Sequence, residues 1–140
     1  KAIRSSGEYA LQAHLAESYF ILYRTTGNET YRDYAWQLVQ AIHRHCRTKS
    51  GAYAPVVDVN ASDGETAGGS PAAFAANQQT PPHFLSSTLK YLFLIFAPRD
   101  IISLDRWLFT ITGHILPICS LNSEAYPVEL CRSPTTTVLN

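Results

Sequence analysis

Few residues in this 140-residue chain are spaced for chemistry. The clearest are three cysteines, one acidic loop and two acceptor asparagines. Cys46, Cys119 and Cys131 match no zinc-ligand spacing. Their odd count suits one disulfide plus a leftover thiol, or else buried free thiols that behave as small hydrophobes. Asp58, Asp63 and Glu65 bring carboxylates into one stretch, the raw material of a cation site. They lack the regular ligand spacing of a calcium loop, so the stretch reads as a solvated acidic loop. Asn28-Glu29-Thr30 and Asn60-Ala61-Ser62 both fit the N-glycosylation acceptor pattern and both fall in predicted loops, which points to the secretory pathway.

The composition narrows the classes these residues can serve. The chain is 46% hydrophobic with zero formal net charge, which fits one small domain or a piece of a larger one. Interspersed acidic and basic residues leave no electrostatic footprint for nucleic acid or an anionic membrane. The longest strongly apolar run, residues 91–97, is far too short to cross a bilayer. Residues 1–7 are polar and lack the apolar core of a signal peptide, so a secretory origin is not displayed there.

Three helices and a hairpin would have to position the candidates. Residues 8–24 predict a first helix, with Leu11, Leu15, Tyr19, Phe20, Leu22 and Tyr23 near helical spacing, ended by Thr25-Thr26-Gly27-Asn28. Asn28 or Thr30 can cap a second helix reaching about residue 47, whose stripe is Tyr31, Tyr34, Ala35, Leu38, Ile42 and Cys46. His43, Arg44, His45 and Arg47 crowd its last turn, where they complement the helix dipole. The short connection makes the pair an antiparallel helical hairpin. Residues 49–82, rich in Gly, Ala, Ser and Pro, predict a long irregular loop. A third helix, residues 83–96, is apolar nearly all round and needs neighbours on several sides. Residues 101–118 mix β-branched and aromatic residues with turn signals at Gly113 and Pro117, predicting short strands or a hairpin. The tail, residues 119–140, is polar. These elements cover the third helix poorly, so the chain reads as part of a larger helical assembly.

Several strings, in order along the chain, carry a resemblance. They are Glu17-Ser18-Tyr19-Phe20-Ile21-Leu22-Tyr23-Arg24-Thr25-Thr26-Gly27, Tyr31-Arg32-Asp33-Tyr34-Ala35-Trp36, His45-Cys46-Arg47-Thr48, Gly51-Ala52-Tyr53, Thr88-Leu89-Lys90-Tyr91-Leu92-Phe93-Leu94-Ile95-Phe96 and Leu104-Asp105-Arg106-Trp107-Leu108-Phe109. Together they resemble the C-terminal part of the class I α-1,2-mannosidases, glycoside hydrolase family 47. The resemblance implies a mainly α fold, a partial (α/α)7 toroid of helical hairpins over residues 1–118, plugged by a short C-terminal β-hairpin. It implies trimming of α-1,2-linked mannose from high-mannose N-glycans or glycoproteins in the endoplasmic reticulum or Golgi. It also implies an inverting mechanism with a carboxylic acid and a carboxylate base flanking the bond. A calcium ion is implied as well, with two ligands from a threonine and others from waters held by carboxylates. Upstream toroid segments would be the partners of this piece.

Carried over residue by residue, the family positions show substitution at the chemistry. The Leu-Arg-Pro-Glu motif reads Leu11-Gln12-Ala13-His14, so the sugar-gripping arginine is Gln12 and the catalytic glutamate is His14. His83 replaces a ring that stacks on mannose, and Ser87 replaces a sugar-binding glutamate. The Thr-Glu-Ala-His motif reads Ile111-Thr112-Gly113-His114. Ile111 thus stands at the calcium threonine, and Thr112 at its neighbouring glutamate. Glu17, an outer calcium-shell residue in the family, is retained.

His14 could act as a replacement base, since imidazole titrates near neutrality, or be a drifted, solvated histidine. Tyr19, Tyr23, Tyr34 and Trp36 could stack on sugar rings, but their helical spacing suits packing. Framework residues match while polar site residues have changed, as expected where folding stays constrained after catalysis is released. The expectation is a mannosidase-like fragment, catalytically impaired or inactive as it stands. The alternatives are a segment of an active calcium-dependent enzyme completed by other segments, and an interaction module docking through its apolar helix.

Overall fold

The computed structural model describes residues 7–56, 58–59 and 79–118. Cys119, Cys131, Asn60, Asp63, Glu65 and the polar tail lie outside the described residues. The described part is mainly helical with one two-stranded antiparallel sheet. Helix α1 spans His14–Thr26 and α2 spans Thr30–His45. A π-helical turn at Phe84–Thr88 runs directly into α3, Leu89–Phe96. Strands β1 (Trp107–Phe109) and β2 (Ile115–Pro117) close the order.

Helix α1 begins six residues later than its hydrophobic pattern predicts. Residues 8–13 are claimed by longer-range pairing. Tyr9 N–H donates to Val56 O at 2.8 Å, and Val56 N–H donates back to Tyr9 O at 2.9 Å. Leu11 then sits at φ 57, a left-handed conformation that a right-handed helix cannot pass through. Two contacts hold it there: Leu11 is wholly buried, and its carbonyl accepts the Thr88 hydroxyl at 2.7 Å. Within α1 the buried face is Ala16, Phe20 and Tyr23, spaced four and three apart. Leu15 and Leu22, expected in the stripe, are 44% and 39% exposed because they fall off that line.

Gly27 ends α1 at φ 71 with its N–H on Tyr23 O, a left-handed cap that suits glycine. Asn28 Oδ1 then accepts Thr30 N–H at 3.0 Å, capping the entry to α2 as its sequence suggests. Ala35, Ile42 and the following Cys46 are buried, whereas Tyr34 is exposed. After α2 the chain is not simply irregular. Ala54 N–H donates to Cys46 O, Thr48 N–H to Ala52 O, and Gly51 turns at φ 87. This small antiparallel turn carries the chain back to Tyr9, so the predicted loop is ordered at its start.

The third helix was expected to be a single run, and its first turn is instead π-helical, with Leu89 N–H donating to Phe84 O five residues back. Its Tyr91, Leu92, Leu94 and Ile95 are buried. Phe20, Tyr91 and Phe109 form a three-ring cluster with centroids 5.3–5.6 Å apart, joining α1, α3 and β1. Arg24 ties the C-terminal end of α3 to α1, its Nη1 donating to Arg99 O at 2.6 Å and its Nη2 to Leu94 O at 2.9 Å. Away from these contacts, Leu85 of the π turn and Leu89 and Phe93 of α3 are exposed, Leu89 facing a groove toward α2.

In the hairpin, Trp107 pairs with Pro117, Leu108 with Leu116 and Phe109 with Ile115. Residues 101–106 form turns rather than strand, since Ile101, Arg106 and Trp107 N–H groups bond back to Pro98 and Ser103 carbonyls. Pro117 is not at the turn. It ends β2 on an edge where no donor is needed.

Candidate functional site

Three segments distant in sequence converge on one cleft. The left-handed Leu11 delivers Gln12, Ala13 and His14 to its floor at the start of α1. The π turn and the residue before it deliver Ser86, Ser87 and His83, and the hairpin turn delivers Ile111, Thr112 and His114. The cleft measures about 430 Å³. Gly113 makes this convergence possible. It lies at φ 77, and a Cβ there would stand 2.9 Å from both Ser86 O and Ser87 Cβ. The hairpin turn therefore rests directly on the backbone of the π turn, and Lys90 Nζ secures it by donating to Gly113 O.

The polar groups at the cleft are mostly prearranged. His83 Nε2 donates to Ala10 O at 3.0 Å, which leaves Nδ1 without the proton in the neutral ring. Thr112 Oγ1 shares a 2.7 Å hydrogen bond with His114 Nδ1 and a 3.0 Å bond with Thr110 Oγ1. Ser87 is almost fully buried, and its hydroxyl donates to His83 O at 2.6 Å, one helical turn back. Gln12 and His14 are exposed, and Ile111 is 87% exposed, the barest large hydrophobe described.

The structure thus brings together Gln12, His14, His83, Ser87, Ile111 and Thr112, which lie up to a hundred residues apart in sequence. Glu17 is not among the lining residues. Its Oε1 accepts the Tyr91 hydroxyl at 3.3 Å, and burial, then the Glu17 charge and hydrogen bond, push that phenol up to about 12. The aromatics singled out by sequence pack elsewhere. Tyr19 meets Tyr34, Trp36 meets Phe96, and Tyr23 lies under the Arg32 and Arg99 guanidiniums. Asp58 is described but does not line the cleft.

Sequence reasoning quoted His114 within a motif but gave it no role, and it passed over Ser86 and Glu8. Glu8, with Gln12 and His14, lines an adjoining depression of about 480 Å³. Only the signal of three histidines in a five-histidine chain standing beside family site strings could have pointed to His114.

Chemically, the cleft offers hydroxyls, an amide and imidazoles, and no described carboxylate lines it. Such a set can hydrogen-bond a hydroxyl-rich ligand. It does not offer the acid and base pair that inverting glycoside hydrolysis uses. It also does not fit calcium, which takes six to eight oxygen ligands, carboxylates prominent among them. Ile111 contributes no side-chain oxygen, and Glu17 is engaged by Tyr91. Among the described residues no group of three His, Cys, Asp or Glu side chains is placed to hold a metal ion. A second, apolar groove of about 670 Å³ runs between α2 and α3, with Trp36, Ile42, Tyr53, Phe84 and Leu92 in its walls. No helix among the described residues is long and apolar enough to cross a membrane.

Residues 2–118 match the sequence pattern of Glycosyl hydrolase family 47. The chain is 37% identical over 122 residues to a mannosyl-oligosaccharide 1,2-alpha-mannosidase of Arabidopsis thaliana, covering 87% of this chain and 20% of that protein. It is 35% identical over 121 residues to the human mannosyl-oligosaccharide 1,2-alpha-mannosidase IC, covering 81% of this chain and 16% of that protein. The described fold is similar to an alpha-1,2-mannosidase from Trichoderma reesei, with a TM-score of 0.68 and 26% identity over 83% of this chain and 23% of that one. The chain spans about a fifth or less of the length of the relatives it matches.

Proposed function

This chain belongs to glycosyl hydrolase family 47, and from that premise we propose that it forms one wall of a glycan-binding toroid without supplying the proton-transfer groups for hydrolysis. One observation carries this reading. The cleft gathers Gln12, His14, His83, Ser87, Ile111 and Thr112 at one place, while none of them is a carboxylate. The scaffold that would position a sugar is kept, and the groups that would cleave it are replaced. The ligand would be the mannose-bearing end of a high-mannose N-glycan, held by hydrogen bonds from Gln12, Thr112 and the imidazoles. His14 stands at the head of α1, where a proton-transfer residue would be wanted, and carries an imidazole in place of a carboxyl group. A lone imidazole without a second acid or base does not complete the inverting pair.

The same reading places the protein in the secretory pathway, where N-glycans are processed. Asn28 supports this: it is exposed in the turn between α1 and α2, its side-chain Oδ1 is the atom engaged by Thr30 N–H, and the amide nitrogen that would carry a glycan lies on an exposed residue. Calcium would not be bound by the described residues alone, for want of oxygen ligands.

A second reading is favoured by the exposed apolar residues of the π turn and α3. Leu85, Leu89 and Phe93 would be buried by further helical hairpins, and those could bring the missing acids. Mannose release from a high-mannose N-glycan separates the two readings. The chain alone, with calcium present, is expected to release none while retaining glycan binding. Calcium-dependent release by the chain alone would sink the first reading.

A further inference from the structure

Tyr91, Leu92, Leu94 and Ile95 of α3 find cover, whereas Leu89, Phe93 and Phe96 remain exposed. Those three are spaced four and then three apart, so they share one side of the helix, and Phe93 is 63% exposed. Leu85, four residues before Leu89 in the π turn, is 61% exposed. Trp36 of α2 is 53% exposed and meets the Phe96 ring edge-on at 6.0 Å. This apolar ridge borders the groove of about 670 Å³ between α2 and α3, whose walls include Trp36, Ile42, Leu89 and Leu92. We propose that ridge and groove form the interface of a two-fold homodimer, with Phe93 of each copy entering the groove of the other. The proposal does not depend on what the cleft binds.

Three features of the surface favour a second copy as its occupant. The first is area. An aromatic side chain presents about 150–250 Å², so the exposed parts of Trp36, Phe93 and Phe96, with those of Leu85 and Leu89, come to about 500 Å² per copy. Two copies would remove about 1,000 Å² of apolar surface, and at the roughly 65% apolar share of homodimer interfaces the whole contact would be about 1,500 Å². That is the standard size of a stable complex. The second feature is self-complementarity, since a two-fold contact needs projection and recess on one patch of the same chain. Phe93 projects one helical turn after Leu89, which itself lines the groove. The third is charge. Lys90 is the one charged residue between positions 84 and 96, and its ammonium is drawn to Gly113 O in the hairpin turn. Arg32, over the Phe96 ring at 5.5 Å, is paired with Glu29 at 3.0 Å. Gln40, His43 and Arg44 give the groove a polar edge, as interface rims have. With zero formal net charge, two copies approach without long-range repulsion.

Sedimentation equilibrium of the full 140-residue chain tests the proposal. The chain is expected to pass from monomer to dimer with a Kd of about 10 μM or below. Phe93→Glu should raise that Kd at least about a hundredfold, because the change enters both halves of the contact, with the far-UV dichroism of the monomer unchanged. Leu85→Glu, also on the ridge, should raise it at least about tenfold and keeps the test open if the first variant misfolds. Leu108→Glu, at an exposed position on the β-hairpin, should leave the dimer as it is. A monomer at every concentration overturns the proposal and leaves the ridge to another segment or a different partner. A dimer that both ridge variants leave intact also overturns it, since another surface then holds the copies together. Mass growing past the dimer signals a contact that does not close and overturns the two-fold arrangement.

Discussion

Replacing Gly113 with alanine adds one methyl group at the point where the hairpin turn rests on the π turn. Two costs arise, and the structure separates them. The first is conformational: at φ 77 an L-residue is disfavoured by about 1–2 kcal/mol. Part of this is returned, about 0.4–1 kcal/mol, because alanine restricts the unfolded chain more than glycine does. The second is steric, since the new Cβ would lie 2.9 Å from Ser86 O and Ser87 Cβ and 3.1 Å from Ser87 Cα. Those atoms are backbone or its first side-chain carbon and cannot swing aside, so a cost of about 1–3 kcal/mol is expected, as for overpacked cores. Gly51→Ala isolates the first cost, because Gly51 has φ 87 and nothing within 4 Å of the added carbon. Thermal unfolding followed by circular dichroism should therefore show Gly51→Ala destabilised by about 1 kcal/mol and Gly113→Ala by about 2–4 kcal/mol. At roughly 4 °C per kcal/mol for a chain of this size, the second variant should lose about 10 °C in Tm. The substitution also restores the alanine that the family carries in its Thr-Glu-Ala-His motif. If Gly113→Ala unfolds within about 0.5 kcal/mol of Gly51→Ala, the argument from close approach fails, and the turn can adopt another path at little cost.

Four further outcomes follow from single contacts. Thr88→Val removes the hydroxyl that reaches Leu11 O and leaves a buried carbonyl unpaired, so denaturant unfolding should register a loss of about 1–3 kcal/mol. Tyr9 Oη is buried without a hydrogen-bond partner among the described residues, so Tyr9→Phe should be neutral or stabilising by up to about 1 kcal/mol in the same assay. Burial raises Cys46 from 9.0 to about 11 and Tyr9 from 10.0 to about 12. Because both are held in their neutral forms, their contribution is intact below about pH 9 and is lost as pH climbs toward 12; a pH series of melting temperatures should stay level and then fall, the fall beginning later in Cys46→Val. Expressed through a eukaryotic secretory route, the chain should carry a glycan at Asn28 that is lost in Thr30→Ala, visible as a mass shift on deglycosylation.

The helical hairpin of α1 and α2, the apolar third helix and the terminal β-hairpin were all legible in the sequence. Their signals are local: a 3.6-residue apolar period, glycine and asparagine at the α1–α2 turn, and β-branched and aromatic residues around Gly113. The start of α1 was not, because residues 8–13 have a helical pattern that pairing of Tyr9 with Val56 overrides. No local rule reports a partner forty-seven residues away. The exposed Leu15 and Leu22 follow from the same limit, since periodicity shows that a helix has an apolar side without fixing which residues the neighbouring elements cover. The site divides in the same way. Family strings along the chain named Gln12, His14, His83, Ser87, Ile111 and Thr112 one at a time, as expected positions of a site. That they line one cleft, with His114 beside them and Glu17 turned away to Tyr91, was decided only when the left-handed Leu11, the π turn and the bare backbone of Gly113 brought three distant segments into contact. Residue types determine what a side chain can donate, accept or protonate. Convergence of side chains from distant parts of the chain depends on backbone geometry and packing that only the tertiary fold supplies.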